Sequence, residues 1–211
     1  MLGESQAERF LFRQGLYKYG QLPAVLGKET SGVVVELPTD ESVLKNATYK
    51  SKNLAIGCKV TSVRVLVTFQ MSTNDRNGKD YLGTHATYIA VPWQYVHPVP
   101  TSVSTRTAAA LLLQGLTVTT FVEEAYKVKK GDTILVHTIA GGVGLLFAQL
   151  LHHLGATVIG TTSTPEKAQL AKKNGADHVI LYRLEDTVQR VLDLTNNEGV
   201  DAIFDGVGKD T

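Results

Sequence analysis

The chain of 211 residues contains one cysteine, Cys58. A single cysteine excludes an internal disulfide and any Cys-x-x-Cys metal site. Net charge is also nearly absent: 21 Lys and Arg against 20 Asp and Glu leave +1. Composition therefore gives no reason to invoke nucleic acid or an anionic membrane. No uninterrupted apolar run is long enough to span a bilayer. The N-terminus, MLGESQAERF, lacks the basic-then-apolar order of a secretory signal. The default location is the cytoplasm. The six histidines show no ligand spacing, and His152 and His153 are neighbours that point in different directions on a helix. There is no internal repeat and no low-complexity tract.

What is present is an ordinary globular composition, 43% hydrophobic and 19% charged, with enough chain for a true core. The pattern changes near residue 100. Before it, short β-rich runs, SGVVVEL (31–37), KVTSVRVLVTF (59–69) and ATYIAV (86–91), alternate with turn signals and suggest an antiparallel β domain over 1–100. Residues 38–53 and 70–83 read as surface loops. Two prolines in HPVPTSVS (97–104) mark the passage to a second domain, 101–211. A helix is expected from about Thr105 to Val128, with Ser104 as its N-cap and Gly115 as a candidate interruption. Strands at 133–138, 157–161, 178–182 and 200–205 then alternate with helices at 142–154, 165–174 and 185–195. Alternation of this kind predicts a parallel, doubly wound sheet, so the fold class is α/β.

The densest signal is ILVHTIAGGVGLLFAQLLHHLGATVIG. An apolar strand runs straight into Gly141, Gly142, Val143 and Gly144, and a helix opens within that loop. Glycine lets backbone approach a pyrophosphate with no Cβ in the way, and the free N–H groups of the helix start face the phosphates. Aligned on Gly141 and Gly144, the first glycine of G-x-G-x-x-G is replaced by Ile139. The bland alternative is a glycine-rich turn that only packs a helix on a sheet.

NAD sites place Asp or Glu about 20 residues beyond the glycines, to bind the ribose hydroxyls. That count reaches Thr161, and no acid follows Gly141 until Glu166. The stretch TTSTPEK instead offers Ser163, a helix start at Thr164-Pro165, and Lys167 in the first turn. A cation is misplaced against the helix dipole unless an anion sits there too. A 2′-phosphate held by Ser163, the helix N–H groups and Lys167 resolves the conflict, which predicts NADPH. A solvated surface lysine is the competing reading. Tyr182, ending the third strand, is either a ring stacked near the adenosine phosphate or an aromatic cap on the sheet end.

GLYKYGQLPAVLGKETSGVVVE, QGLTV, the glycine-loop region through HVILY, and GVDAIFDGVGKDT together resemble the zeta-crystallin-like quinone oxidoreductases. These form the zinc-free branch of the medium-chain dehydrogenase/reductases. The resemblance implies a GroES-like catalytic domain followed by a Rossmann domain, an NADPH cofactor, and one-electron or hydride reduction of quinones or related electrophiles. It places cofactor contacts on Gly141, Gly142, Val143, Ser163, Lys167 and Tyr182. It also places Thr117 beside the nicotinamide and Tyr17 on the substrate side. Zinc-dependent relatives carry Gly-His-Glu in the first domain; here the run is Gly27-Lys28-Glu29. Lysine cannot replace neutral imidazole on zinc without losing its proton, so no metal is expected. Cys58 is expected to be a buried small residue rather than a nucleophile.

Two departures qualify the resemblance. The family's Asn and a further cofactor-side Tyr fall on Gln6 and Leu11. The sequence also stops at GVGKDT, just past the fourth Rossmann strand, which leads to the expectation of a partial Rossmann sheet with that strand as an edge. On that expectation the chain alone is less stable and less active than a longer relative, and the homodimer implied by the family is in doubt. The alternative to a quinone reductase is a non-catalytic nucleotide- or RNA-binding zeta-crystallin-like protein, or an inactive fragment.

Overall fold

A computed structural model describes residue 25 and residues 27–63 and 83–208. Gln6, Leu11, Tyr17 and the loop around 72–80 lie outside the described residues. The chain divides into two compact units, residues 1–113 and 114–211.

In the first unit, β1 (Glu29–Val33), β2 (Lys59–Val63) and β3 (Val96–Pro98) form an antiparallel sheet in the order β1-β2-β3. The segment 38–53, expected as a loop, carries two short helices, α1 (Glu41–Lys45) and α2 (Ala47–Ser51). Side-chain caps explain them. Asp40 accepts from the Ser42 N–H at 2.8 Å, and Asn46 from the Tyr49 N–H at 3.1 Å. These carboxylate and amide groups satisfy backbone donors that a short helix otherwise leaves to water. Tyr49 then packs edge-on against Trp93, ring centroids 5.6 Å apart. The strand expected at 86–91 forms no ladder among the described residues, and the Ala86 N–H is taken by a turn to the Thr84 carbonyl.

Helix α3 (Thr105–Thr120) begins where Ser104 accepts the Thr107 N–H at 3.0 Å. It runs through Gly115 without a break and ends in a π turn, Phe121–Ala125.

The second unit alternates β4 (Thr133–Val136), α4 (Gly142–Leu154), β5 (Thr157–Thr162), α5 (Pro165–Lys173), β6 (His178–Leu181), α6 (Thr187–Leu194) and β7 (Ala202–Phe204). The strands are parallel, in the order β6-β5-β4-β7. That is the 3-2-1-4 order of the doubly wound fold. Side-chain alternation sends Ile134, Val136 and Val158 to one face, where Phe147, Ala148, Leu151 and Phe204 cover them. Leu135, Ile159 and Ile180 go to the other face, under Val191. Each fully buried Ile or Val contributes roughly 1.5–3 kcal/mol relative to exposure. Covering both faces is what makes the strands apolar almost throughout.

The strands are fastened at their N-terminal ends by two matching aspartates. The Asp177 carboxylate accepts the Val158 N–H at 2.7 Å, while the Asp177 N–H donates to the Val158 carbonyl at 2.9 Å. Asp201 does the same to Thr133, with the same two distances.

Candidate functional site

In a parallel α/β sheet, ligands bind beyond the C-terminal ends of the strands. At the end of β4 the chain turns sharply. The His137 N–H donates to Phe204 O, and Thr138 takes a left-handed backbone with φ +53°. The Thr138 carbonyl then accepts the Gly141 N–H at 2.8 Å, and α4 starts at Gly142. This turn is what replaces the expected glycine: Thr138 supplies the unusual conformation, while Ile139 is fully buried in the core. A β-branched residue held there costs about 1–3 kcal/mol. Thr138→Asn, which tolerates the left-handed region, is expected to raise unfolding stability by about 0.5–1 kcal/mol in urea titration; an unchanged or lower midpoint would remove the strain argument.

Gly144 lies directly on this turn. A Cβ there would meet the Thr138 carbonyl oxygen and would lie 2.6 Å from Ile139 O. Gly160 on β5 makes room in the same way, since a Cβ there would lie 2.5 Å from the Ile139 side chain. The loop therefore sits close against β4 and β5.

The start of α4 has an electrostatic consequence. Gly141 occupies the N-cap and has no side chain to accept the first N–H groups of the helix. The starts of α5 and α6 differ. Thr164 accepts the Lys167 N–H at 3.4 Å, and Asp186 accepts the Gln189 N–H at 2.9 Å. The open donors of Gly142, Val143 and Gly144 and the positive helix end favour an anion.

One strand over, β5 ends at Thr162, and Ser163 and Thr164 lead into α5. Lys167 is exposed, and its Nζ lies 3.5 Å from Ser163 Oγ. Glu166 is drawn into its own helix start. Its backbone N–H and the Thr164 hydroxyl hold its carboxyl below the usual range. A third strand over, the Tyr182 N–H donates to Thr162 O at 3.2 Å, and its ring is exposed. Gly141, Gly142, Val143, Gly144, Ser163, Lys167 and Tyr182 thus line the C-terminal edge of three adjacent strands. Thr117 is half-buried on α3. One turn before it, the Gln114 carboxamide lies over the loop: a Cβ on Gly142 would be 2.6 Å from Gln114 Oε1. Residues three apart share a helix face, which places Thr117 on the side nearest the loop.

Residues the motif count overlooked also belong here. Thr161, reached by counting from the glycines, is only 2% exposed. Its hydroxyl is 3.1 Å from His137 Nδ1 and 3.4 Å from the Thr138 N–H, and its carbonyl accepts the Ile139 N–H at 3.0 Å. It braces the turn from inside. The signal available in sequence was a threonine near the end of a strand with an apolar middle, and nothing in the pattern named its partner.

In the first unit, Glu29 is buried and accepts the Leu113 N–H at 3.0 Å. Gly27, at φ +109°, lies against Thr84. Among the described residues, no three His, Cys, Asp or Glu side chains gather as a metal cluster. Cys58 is partly buried, and its sulfur lies 3.5 Å from the Ala55 N–H. Among the described residues no helix is long and apolar enough to cross a membrane.

Comparison with known proteins places this geometry. Residues 6–101 match the alcohol dehydrogenase GroES-like domain, and residues 142–211 match the zinc-binding dehydrogenase family. The chain is 41% identical over 202 residues to a probable quinone oxidoreductase of Schizosaccharomyces pombe, covering 94% of this chain and 52% of that protein. The structure of Escherichia coli quinone oxidoreductase complexed with NADPH superposes with a TM-score of 0.79 at 32% identity, over 100% of this chain and 56% of that one. The Pseudomonas syringae quinone oxidoreductase superposes at 0.78 and 36% identity, over 100% of this chain and 57% of that one. The chain belongs to the quinone oxidoreductases of the medium-chain dehydrogenase/reductase superfamily. It spans about half the length of the relatives it matches. Within this family the first unit is the GroES-like domain and the second the parallel α/β sheet.

Proposed function

We propose that this chain binds NADPH along the edge of β4, β5 and β6 and serves the metal-free reduction of quinones or related electrophilic carbonyls. The observation that carries the reading is the pairing of an uncapped α4 start with a neighbouring strand end that offers Ser163 and Lys167 and no ribose-binding carboxylate. NADPH-bound and quinone-reducing relatives support it.

The residues fit the cofactor. The N–H groups of Gly142, Val143 and Gly144 would hold the pyrophosphate, on a turn whose close approach to Thr138 and Ile139 leaves no room for a Cβ at Gly144. Ser163 and Lys167 would take the 2′-phosphate through charge-assisted hydrogen bonds. Tyr182 would flank the adenosine. Thr117, with Tyr17 of the family's pattern, would orient the substrate side. The bound cofactor supplies the reducing equivalents, so no nucleophile or paired carboxylates are required. Lys28 at the family's zinc-ligand position agrees with a metal-free site. A zeta-crystallin-like grouping, a cytoplasmic setting and homodimerisation belong to the same reading.

The test is loss of NADPH absorbance on addition of a simple quinone such as 1,4-benzoquinone. Turnover that persists after exhaustive chelation and is slower with NADH is expected. Nucleotide binding without turnover would favour a binding protein, and absence of both would refute the reading.

A further inference from the structure

We propose that His137 is a positioning residue for the glycine loop, acting through the buried Thr161 hydroxyl. The inference rests on the reading that this loop binds a nucleotide. It concerns a residue that touches no ligand in that reading.

Thr161 is enclosed, so its hydroxyl must find partners inside the protein. Two are within reach, His137 Nδ1 at 3.1 Å and the Thr138 N–H at 3.4 Å. A backbone N–H can only donate, so the Thr161 oxygen accepts from Thr138. The remaining partner of the hydroxyl is His137 Nδ1, which takes the hydroxyl proton or donates to the same oxygen according to the ring's tautomer. The Thr161 carbonyl takes the next N–H, that of Ile139, at 3.0 Å. One residue of β5 thus holds the N–H groups on both sides of the Thr138 carbonyl.

That carbonyl is the pivot of the site. It accepts the Gly141 N–H and so sets where α4 begins. Thr138 reaches this geometry only in the left-handed region, from which a β-branched residue relaxes unless held. His137 can serve as an anchor because its own N–H is fixed to Phe204 O on β7. The chain of bonds runs from β7 through His137 and Thr161 to Thr138, and ends on the donors that face the phosphates. Without the imidazole, the Thr161 hydroxyl is free to turn, and its hold on the Thr138 N–H weakens.

The test compares His137→Ala, His137→Asn, Thr161→Val and the double variant H137A/T161V. NADPH and NADH titrations are paired with amide hydrogen exchange of residues 138–144 in the nucleotide-free protein. His137→Ala and Thr161→Val should each weaken both nucleotides by about two- to tenfold, the range for one neutral hydrogen bond, and should speed exchange at Thr138 and Gly141. The double variant should be no worse than either single one, because the two act as one unit. Asparagine, whose side-chain oxygen can accept the hydroxyl proton, should restore binding and slow exchange. Additive losses, an effect confined to NADPH, or exchange unchanged by His137→Ala would overturn the proposal. If the wild type binds neither nucleotide, the nucleotide reading falls, and the exchange rates alone decide whether the clamp exists.

Discussion

Lys167→Ala is expected to weaken NADPH binding by about 1–3 kcal/mol, roughly 5- to 150-fold, while leaving NADH nearly unchanged. The argument is electrostatic and local. Lys167 sits in the first turn of α5, where the helix dipole disfavours a cation. Its Nζ is near Ser163 Oγ, and Glu166 is engaged with its own N–H and Thr164. An exposed ammonium in that position gains little from the protein itself, so its value must come from an anion that arrives with the ligand. NADH lacks the 2′-phosphate and so lacks the partner. Isothermal titration of both nucleotides, on wild type and variant, reads the difference directly. Equal losses for the two would defeat the phosphate assignment, and higher salt should shrink the NADPH effect because the contact is exposed.

Gly144→Ala is expected to cost about 1–3 kcal/mol of unfolding free energy, toward the upper end, and to weaken both nucleotides together. The added Cβ would fall on Thr138 O and within 2.7 Å of Ile139 O and C. These are backbone atoms, so no rotamer change can relieve the contact. Either α4 lifts from the sheet or the Thr138 turn opens, and both disturb the phosphate-facing donors. Gly142→Ala is the control. There the nearest atoms belong to the Gln114 carboxamide, the end of a flexible side chain that can swing away. Its stability loss should be several-fold smaller. A Gly144→Ala protein that melts like wild type in guanidinium would show that the close approach is not needed.

The two substitutions also mark what a reader of the sequence could and could not see. The second unit was legible in detail, because β4 and β5 are buried on both faces and carry apolar runs at Ile134–Val136 and Val158–Gly160. The interval Gly142–Leu154 matches the expected helix in both ends, since Gly141 and Gly155 punctuate it. Gly141, Ser163 and Lys167 were singled out from spacing and from the missing acid, and Tyr182 from its place at the end of a strand. Thr161 and His137 were not, because a hydrogen bond between residues 24 apart leaves no local pattern. The count of about 20 residues fell on Thr161, yet that residue lies within β5 and is enclosed, whereas Ser163 follows the last residue of the strand. In the first unit, propensity suggested a strand at 86–91 and a loop at 38–53. The outcome depended instead on tertiary pairing in one case and on two polar caps in the other. Such a competition between local preference and partner choice is weakest where strands are short and half-exposed.

The paired aspartates at the base of the sheet carry a further consequence. Asp177 and Asp201 each close a three-residue word of one pattern, glycine, a small apolar residue and aspartate, immediately before β6 and β7. Each word closes a two-bond ring with the strand beside it, one bond from its backbone and one from its carboxylate. A slip of two residues in either pair would keep the side-chain faces correct but would break both bonds of that pair's ring at once. The words therefore act as alignment marks for the two outer strands, β6 and β7. Because alignment is settled at this end, the opposite rim is released from that duty, and its loops can change sequence to suit a ligand without shifting the strands beneath them.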